Sequence, residues 1–171
     1  MEAASATPTI CIPAKSQSQE RVRCFCRAIL ENHTVDTPLR RKLVLAIDEA
    51  VANVIEHAYE KSGEKSPSTI ELSFELRPDR IVVRILDRGD PFDPRRQPEP
   101  SERRPAESVK DEGLDLRVGV RRTGSSFPRR GFGLRLIRLI MDEIEYQRTP
   151  HGENLLTLTK RIRKGGGEWT D

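Results

Sequence analysis

The chain has 171 residues, of which 35% are apolar and 33% charged, enough for one domain with its own core. A net charge of +3 is too small to argue for nucleic acid. No apolar run approaches the length that spans a bilayer, and the first residues lack the basic-then-apolar layout of a signal peptide. The apolar deficit is concentrated in 94–130 and in the tail after 161. Cys11, Cys24 and Cys26 are odd in number and fall in apolar-periodic segments. They read as reduced core or near-core thiols, which points to the cytoplasm. A Cys-x-Cys metal site at Cys24 and Cys26 lacks a second pair to complete it.

Ile10 and Ile12 predict a short opening strand, stopped by Pro13. Val22, Phe25, Cys26, Ile29 and Leu30 then recur at helical spacing. Thr37-Pro38 starts a second helix, whose buried stripe is Leu43, Ile47, Ala50, Val51, Val54 and Ala58. Ile70, Leu72, Phe74 and Leu76 alternate with polar residues, as in a half-buried strand. Pro78-Asp79 turns the chain into an apolar strand over 81–86 that ends at Asp87. Residues 94–130 break the pattern with Pro, Arg, Glu and Ser, apart from a short candidate element at 114–120. A loop of that length is either a functional lid or a solvated linker. Gly131 opens a helix running to about Met141. Ile144 and Tyr146 begin a strand, His151-Gly152 turns, and Leu156, Leu158 and Ile162 alternate in the last strand. The order is strand, two helices, two strands, loop, helix, hairpin. It predicts an α+β two-layer sandwich, a mixed sheet with helices on one face.

Three short motifs fall on this frame. Glu49, Asn53 and His57 are four apart and so share one side of the second helix, beside its buried stripe. Asn53 offers a neutral oxygen suited to Mg²⁺, and Glu49, one turn back, can take a proton from an attacking hydroxyl. Isolated, both would be ordinary solvated helix residues, and His57 reads as a structural hydrogen-bonder. Asp87 stands at the carboxyl end of its strand, where a carboxylate can accept from the amino group of adenine and would repel the carbonyl of guanine. Gly89 permits close backbone approach beside it, and Pro91-Phe92 follow. The bland alternative is an Asp-x-Gly turn with Phe92 in the core. Gly131 and Gly133 precede the amphipathic run Leu134, Ile137 and Met141. Glycines at a helix start let backbone N–H groups face a phosphate, and Arg129 and Arg130 add charge there. The Gly-Lys-Ser/Thr of a P-loop and a long Gly-x-Gly-x-x-Gly are absent.

In this order the motifs resemble the GHKL superfamily of ATP-binding domains. Glu49 to Asn53 is similar to its N box, Asp87 to Gly89 to its first glycine box, and Gly131 to Gly133 to its second. The phrases Leu45-Ala46-Ile47-Asp48-Glu49-Ala50-Val51-Ala52-Asn53, His57-Ala58-Tyr59, Asp87-Arg88-Gly89-Asp90-Pro91-Phe92-Asp93-Pro94 and Met141-Asp142-Glu143-Ile144-Glu145-Tyr146 are similar to the bacterial anti-sigma factor serine kinases. The resemblance covers about 9–163. It implies a single ATP-binding kinase domain over 1–164, with 94–130 as its lid loop and 165–171 as a disordered tail. It implies Glu49 as general base, Asn53 as Mg²⁺ ligand and Asp87 as adenine reader. Gly89, Gly131, Gly133 and Leu134 would complete the ATP site. Two departures stand out: a long Arg-rich loop between the glycine boxes, and Arg129-Arg130 before Gly131, where many relatives carry another glycine.

The implied role is partner switching. Such a protein binds Mg-ATP, phosphorylates a serine of a STAS-fold anti-anti-sigma protein and sequesters a sigma factor in the cytoplasm. No direct contact with nucleic acid or membrane is expected, and a homodimer is allowed. The alternatives are an ATP-gated binding module without phosphotransfer and the catalytic domain of a histidine kinase. The last lacks a preceding phosphoacceptor-histidine helix.

Overall fold

Strict alternation buries Ile70, Leu72 and Phe74 completely on one face of β2 (Thr69–Arg77). The computed structural model describes residues 7–31, 33, 35–59, 68–96 and 132–162. Among these, β1 (Thr9–Pro13), β2, β3 (Arg80–Asp87), β4 (Glu143–Arg148) and β5 (Asn154–Arg161) form one sheet in the order β1-β2-β3-β5-β4. Its inner face meets α1 (Gln19–Glu31), α2 (Thr37–Val54) and α3 (Phe132–Ile140). Ile12, Leu72, Ile85 and Leu158 of the sheet share one core with Val22 and Leu30 of α1, Leu43, Ile47 and Val51 of α2, and Ile137 of α3. The other face mixes Val82, Leu86 and Leu155 with polar side chains, Arg84 pairing with Glu75 at 2.7 Å. This is the two-layer α+β sandwich the element order predicts.

The sheet departs from expectation in its pairing. It was expected to be mixed, and all four described pairings are antiparallel. The cause is the path of the chain. The three connections β1–α1, α1–α2 and α2–β2 reverse it an odd number of times, so β2 returns antiparallel to β1. β3, α3 and β4 make a crossover that leaves β3 and β4 running the same way, and β5 is inserted between them. The parallel relation is therefore present in direction and absent from the hydrogen bonds. Gly152, with φ +80°, makes the hairpin turn that lets β5 fold back into that slot.

Helix ends follow local chemistry. Asp36 caps α2, its carboxylate accepting the Leu39 N–H at 2.8 Å, with proline in the first turn. A 3-10 turn, Ser16–Ser18, leads into α1. Arg23 of α1 pairs with the buried Asp48 of α2 at 3.0 Å, and Phe25 meets Phe74 edge-on at 5.8 Å. The thiol expectation holds for one cysteine. Cys26 is fully buried, whereas Cys11 and Cys24 are exposed, one on the outward face of an edge strand and one on the outer side of α1. Burial, reinforced by the charge of Asp48, pushes the Cys26 thiol up to about 12. The expected lid loop and short element at 114–120, Arg129, Arg130 and Gly131, and the tail after 164 lie outside the described residues.

Candidate functional site

One half of the site forms where α3 begins against α2. Glu49 and Asn53 are a turn apart on α2, both half-buried. A Cβ on Gly133 would lie 2.6 Å from Glu49 Oε2 and 3.7 Å from Asn53 Nδ2. Glycine here lets the first turn of α3 close on Glu49 without pushing its carboxylate aside. Asn53 Nδ2 is buried and has no hydrogen-bond partner in the structure. An unmatched buried amide group costs about 1–3 kcal/mol, so its retention beside a carboxylate and a helix start points to a ligand that supplies the partner. Leu134 follows Gly133 and packs its half-buried side chain on the core. Gly131 is outside the described residues.

The other half lies at the end of β3. Asp87 is 5% exposed. Its Oδ1 accepts the Gly89 N–H at 2.8 Å and the Asn154 amide at 3.0 Å. Asn154 faces Asp87 in the β3–β5 register and is itself 2% exposed. Its Nδ2 also donates to the Gly89 carbonyl at 3.0 Å and approaches the Asp90 carbonyl at 3.4 Å. Tyr146 on β4 donates its hydroxyl to Asn154 Oδ1 at 2.8 Å. With the oxygen end held by Tyr146, the NH₂ end has to face Asp87 and the turn after it. Burial pushes the Asp87 carboxyl above the usual range, and the bonds from Asn154 and Gly89 oppose that rise. A buried carboxylate at a strand end, with Asn154, Gly89 and Tyr59 as donors, still has lone-pair capacity for a further donor from a ligand.

A five-residue π-turn, Ile55–Tyr59, joins the halves. The three-residue row expected along α2 therefore holds for Glu49 and Asn53, and the helical pitch changes before His57. A Cβ on Gly89 would lie 2.6 Å from the Ala58 carbonyl oxygen and 2.7 Å from its Cβ, so glycine is required for that contact. His57 stacks on Phe92 with ring centroids 4.2 Å apart, a ring contact that takes Phe92 to the site's edge. Beyond Phe92, Arg138 of α3 holds the carbonyls of Pro94 and Arg95 at 3.3 Å and 3.2 Å.

The structure thus brings Glu49, Asn53 and Gly133 together, and separately Asp87 and Gly89. Sequence reasoning missed Asn154, Tyr146 and Ala58. The sequence signal for Asn154 was its place two before Leu156, which puts it on the inward face of the last strand. A polar residue there needs a buried partner, and only the register names Asp87. No group of three or more His, Cys, Asp or Glu able to hold a metal occurs among the described residues. A hard cation at this site would take the Asn53 amide oxygen and draw its other ligands from phosphates and water. No described helix is long and apolar enough to cross a membrane.

A sheet with helices on one face, an acid–amide pair on the second helix, a buried strand-end Asp and a glycine at the start of the third helix define the GHKL type of sandwich. The chain belongs to the Histidine kinase-like ATPase domain family, which it matches over residues 12–160. It is 33% identical over 121 residues to the Serine-protein kinase RsbW of Staphylococcus aureus, and 34% identical over 123 residues to the protein of that name from strain JH9. Each alignment takes in 70% of this chain and 64% of the relative, so the chain spans somewhat under two thirds of their length. Among solved structures, that of the RsbU and RsbW domains of a Mycobacterium tuberculosis protein is similar, with a TM-score of 0.55 and 20% identity. It covers 96% of this chain and 35% of that one, and bears on the fold alone.

Proposed function

We propose that the protein is an ATP-dependent serine kinase of the anti-sigma type. It binds Mg-ATP, phosphorylates a serine of a STAS-fold anti-anti-sigma protein, and holds a sigma factor inactive when not so engaged. The observation that carries this reading is the close approach of the α3 start to Glu49 and Asn53, where a Cβ on Gly133 would meet both side chains. It sets a carboxylate and an unmatched amide at the start of a helix, where backbone N–H groups favour phosphate. The RsbW relatives, each named a serine-protein kinase, support it.

In this reading Asp87 accepts a hydrogen bond from the adenine amino group, and Asn154 keeps its carboxylate turned for that contact. Gly89 lets the base lie close to the backbone. Gly131, Gly133 and Leu134 belong to the turn that receives the phosphates. Asn53 fits a Mg²⁺ ligand, and the ion when bound would supply charge neutralisation on the phosphate oxygens. Glu49 takes the proton of the incoming serine hydroxyl. The serine oxygen bonds to the γ-phosphorus as the bond from that phosphorus to the β-phosphate oxygen breaks, leaving phosphoserine and ADP. Much of the acceleration comes from position and charge, with Glu49 adding general-base help.

Incubating the protein with labelled ATP, Mg²⁺ and candidate STAS proteins tests the reading. Label on one serine of one STAS protein supports it. ATP binding that alters partner affinity with no label transferred would leave the gated-binding module in its place.

A further inference from the structure

We infer that His57 and Phe92 are a positioning pair for the base end of the nucleotide site, an inference that rests on the adenine-reading role proposed for Asp87. Three consecutive residues of the π-turn engage the segment after β3 in reverse order. The Tyr59 hydroxyl accepts the Arg88 N–H at 3.0 Å. The Ala58 carbonyl accepts the Asp90 N–H at 3.0 Å. The His57 ring lies on the Phe92 ring at 4.2 Å and 13° from parallel. Between the first two contacts, Gly89 touches Ala58 so closely that no side chain fits. Residues 57–59 and 88–92 therefore run as a short antiparallel zipper.

The π-turn is what makes this match possible. Widening the helix by one residue per turn re-aims the side chains that follow it, and such turns recur at functional sites. Here it takes the end of the helix that carries Asn53 and lays it along the turn that carries Asp87. The inner teeth of the zipper involve backbone groups. The outer tooth is made of two side chains, both half-buried, at the rim of the site. Beyond it the path is held by Arg138 on the Pro94 and Arg95 carbonyls. The stack adds a side-chain hold on Phe92 to the backbone bond at Asp90 and so fixes the path of 90–92, which in the proposed reading borders the base. The stack lies on the segment that follows Asp87, so its influence is expected at the base.

Calorimetric titration of the full chain with ADP and, separately, with inorganic tripolyphosphate tests this. Phe92→Ala and His57→Ala are each expected to weaken ADP by roughly three- to tenfold, the scale of a lost ring stack. Tripolyphosphate affinity should stay at the wild-type value. His57→Phe, which keeps a ring on Phe92, should restore ADP binding, and the double alanine variant should be no worse than either single. Equal ADP affinity in wild type, His57→Ala and His57→Phe overturns the pair, even where Phe92→Ala fails to fold. So does a parallel loss of ADP and tripolyphosphate, which marks a general structural role. A wild-type protein that binds tripolyphosphate and no ADP removes the adenine reading itself, and the pair's role with it.

Discussion

Gly89 and Gly133 exclude a side chain for different reasons, and the difference predicts different phenotypes. At Gly89 the obstacle is the Ala58 backbone, 2.6 Å from the would-be Cβ. Gly89→Ala must push the strand-end turn off the π-turn, so both stability and nucleotide binding should fall. At Gly133 the obstacle is the far end of the Glu49 side chain, also at 2.6 Å. Gly133→Ala favours the helix backbone by up to about 1 kcal/mol and needs only Glu49 to swing aside. It should melt at or above the wild-type temperature while losing phosphotransfer. Thermal melts beside a transfer assay check the pair, and a Gly133→Ala variant with full activity would separate Glu49 from the chemistry. Asp87 gives a second prediction. Burial raises its carboxyl above the ordinary 3.8, so the fold gains from the protonated form. That gain is present below the ordinary value and is lost as pH rises through the folded value, leaving the ionised group a burden at neutral pH. Asp87→Asn should therefore hold or raise the melting temperature of the ligand-free protein at pH 7. It should also weaken ATP by roughly 1–3 kcal/mol and relax its preference over GTP. A lower melting temperature would mean that the carboxylate's bonds to Gly89 and Asn154 outweigh its burial. At the same scale, the exposed Cys11 and Cys24 should alkylate readily at pH 8, and Cys26, raised to about 12, should react only on unfolding. Peptide mapping after iodoacetamide reads this directly.

Among the elements, α2 does most of the positioning. It carries Glu49 and Asn53, it is pinned to α1 through Arg23 and Asp48, and its entry is set by Asp36. Asp36→Ala should cost about 0.5–2 kcal/mol in urea unfolding, the worth of an N-cap, without changing the denaturant slope. A cost near zero would show that proline in the first turn sets the start by itself. The elements were legible because their signals are local: 2-residue alternation in β2, 3.6-residue spacing in α1 and α2, a turn at His151-Gly152. Glu49 with Asn53, Asp87 with Gly89, and Gly133 stood out as candidates for the same reason, each being a pattern within a few residues of chain. What was missed depends on contacts far apart in sequence. The antiparallel pairing follows from where β5 inserts, and Asn154 acquires its role only when register sets it opposite Asp87. The π-turn at Ile55–Tyr59 was hidden because a one-residue widening leaves the apolar spacing through Ala58 almost unchanged.

For the molecule as a whole, one core ties every strand and helix together, so the acid–amide pair and the strand-end carboxylate sit on a common rigid frame. The segment between the glycine boxes joins Arg96 to α3, and Arg138 fastens the last residues before it to that same helix. In the proposed reading, such a frame would hold a nucleotide by both ends and leave the acid of α2 beside its phosphates. The most direct measurement is single-turnover phosphotransfer from ATP to the cognate STAS protein, run on wild type and Glu49→Ala with ATP affinity measured in parallel. The expected result is transfer by the wild type, and a rate about 10²–10⁴-fold lower in Glu49→Ala with ATP bound equally well. Transfer by Glu49→Ala at the wild-type rate, or none by the wild type to any cognate STAS protein, would contradict it.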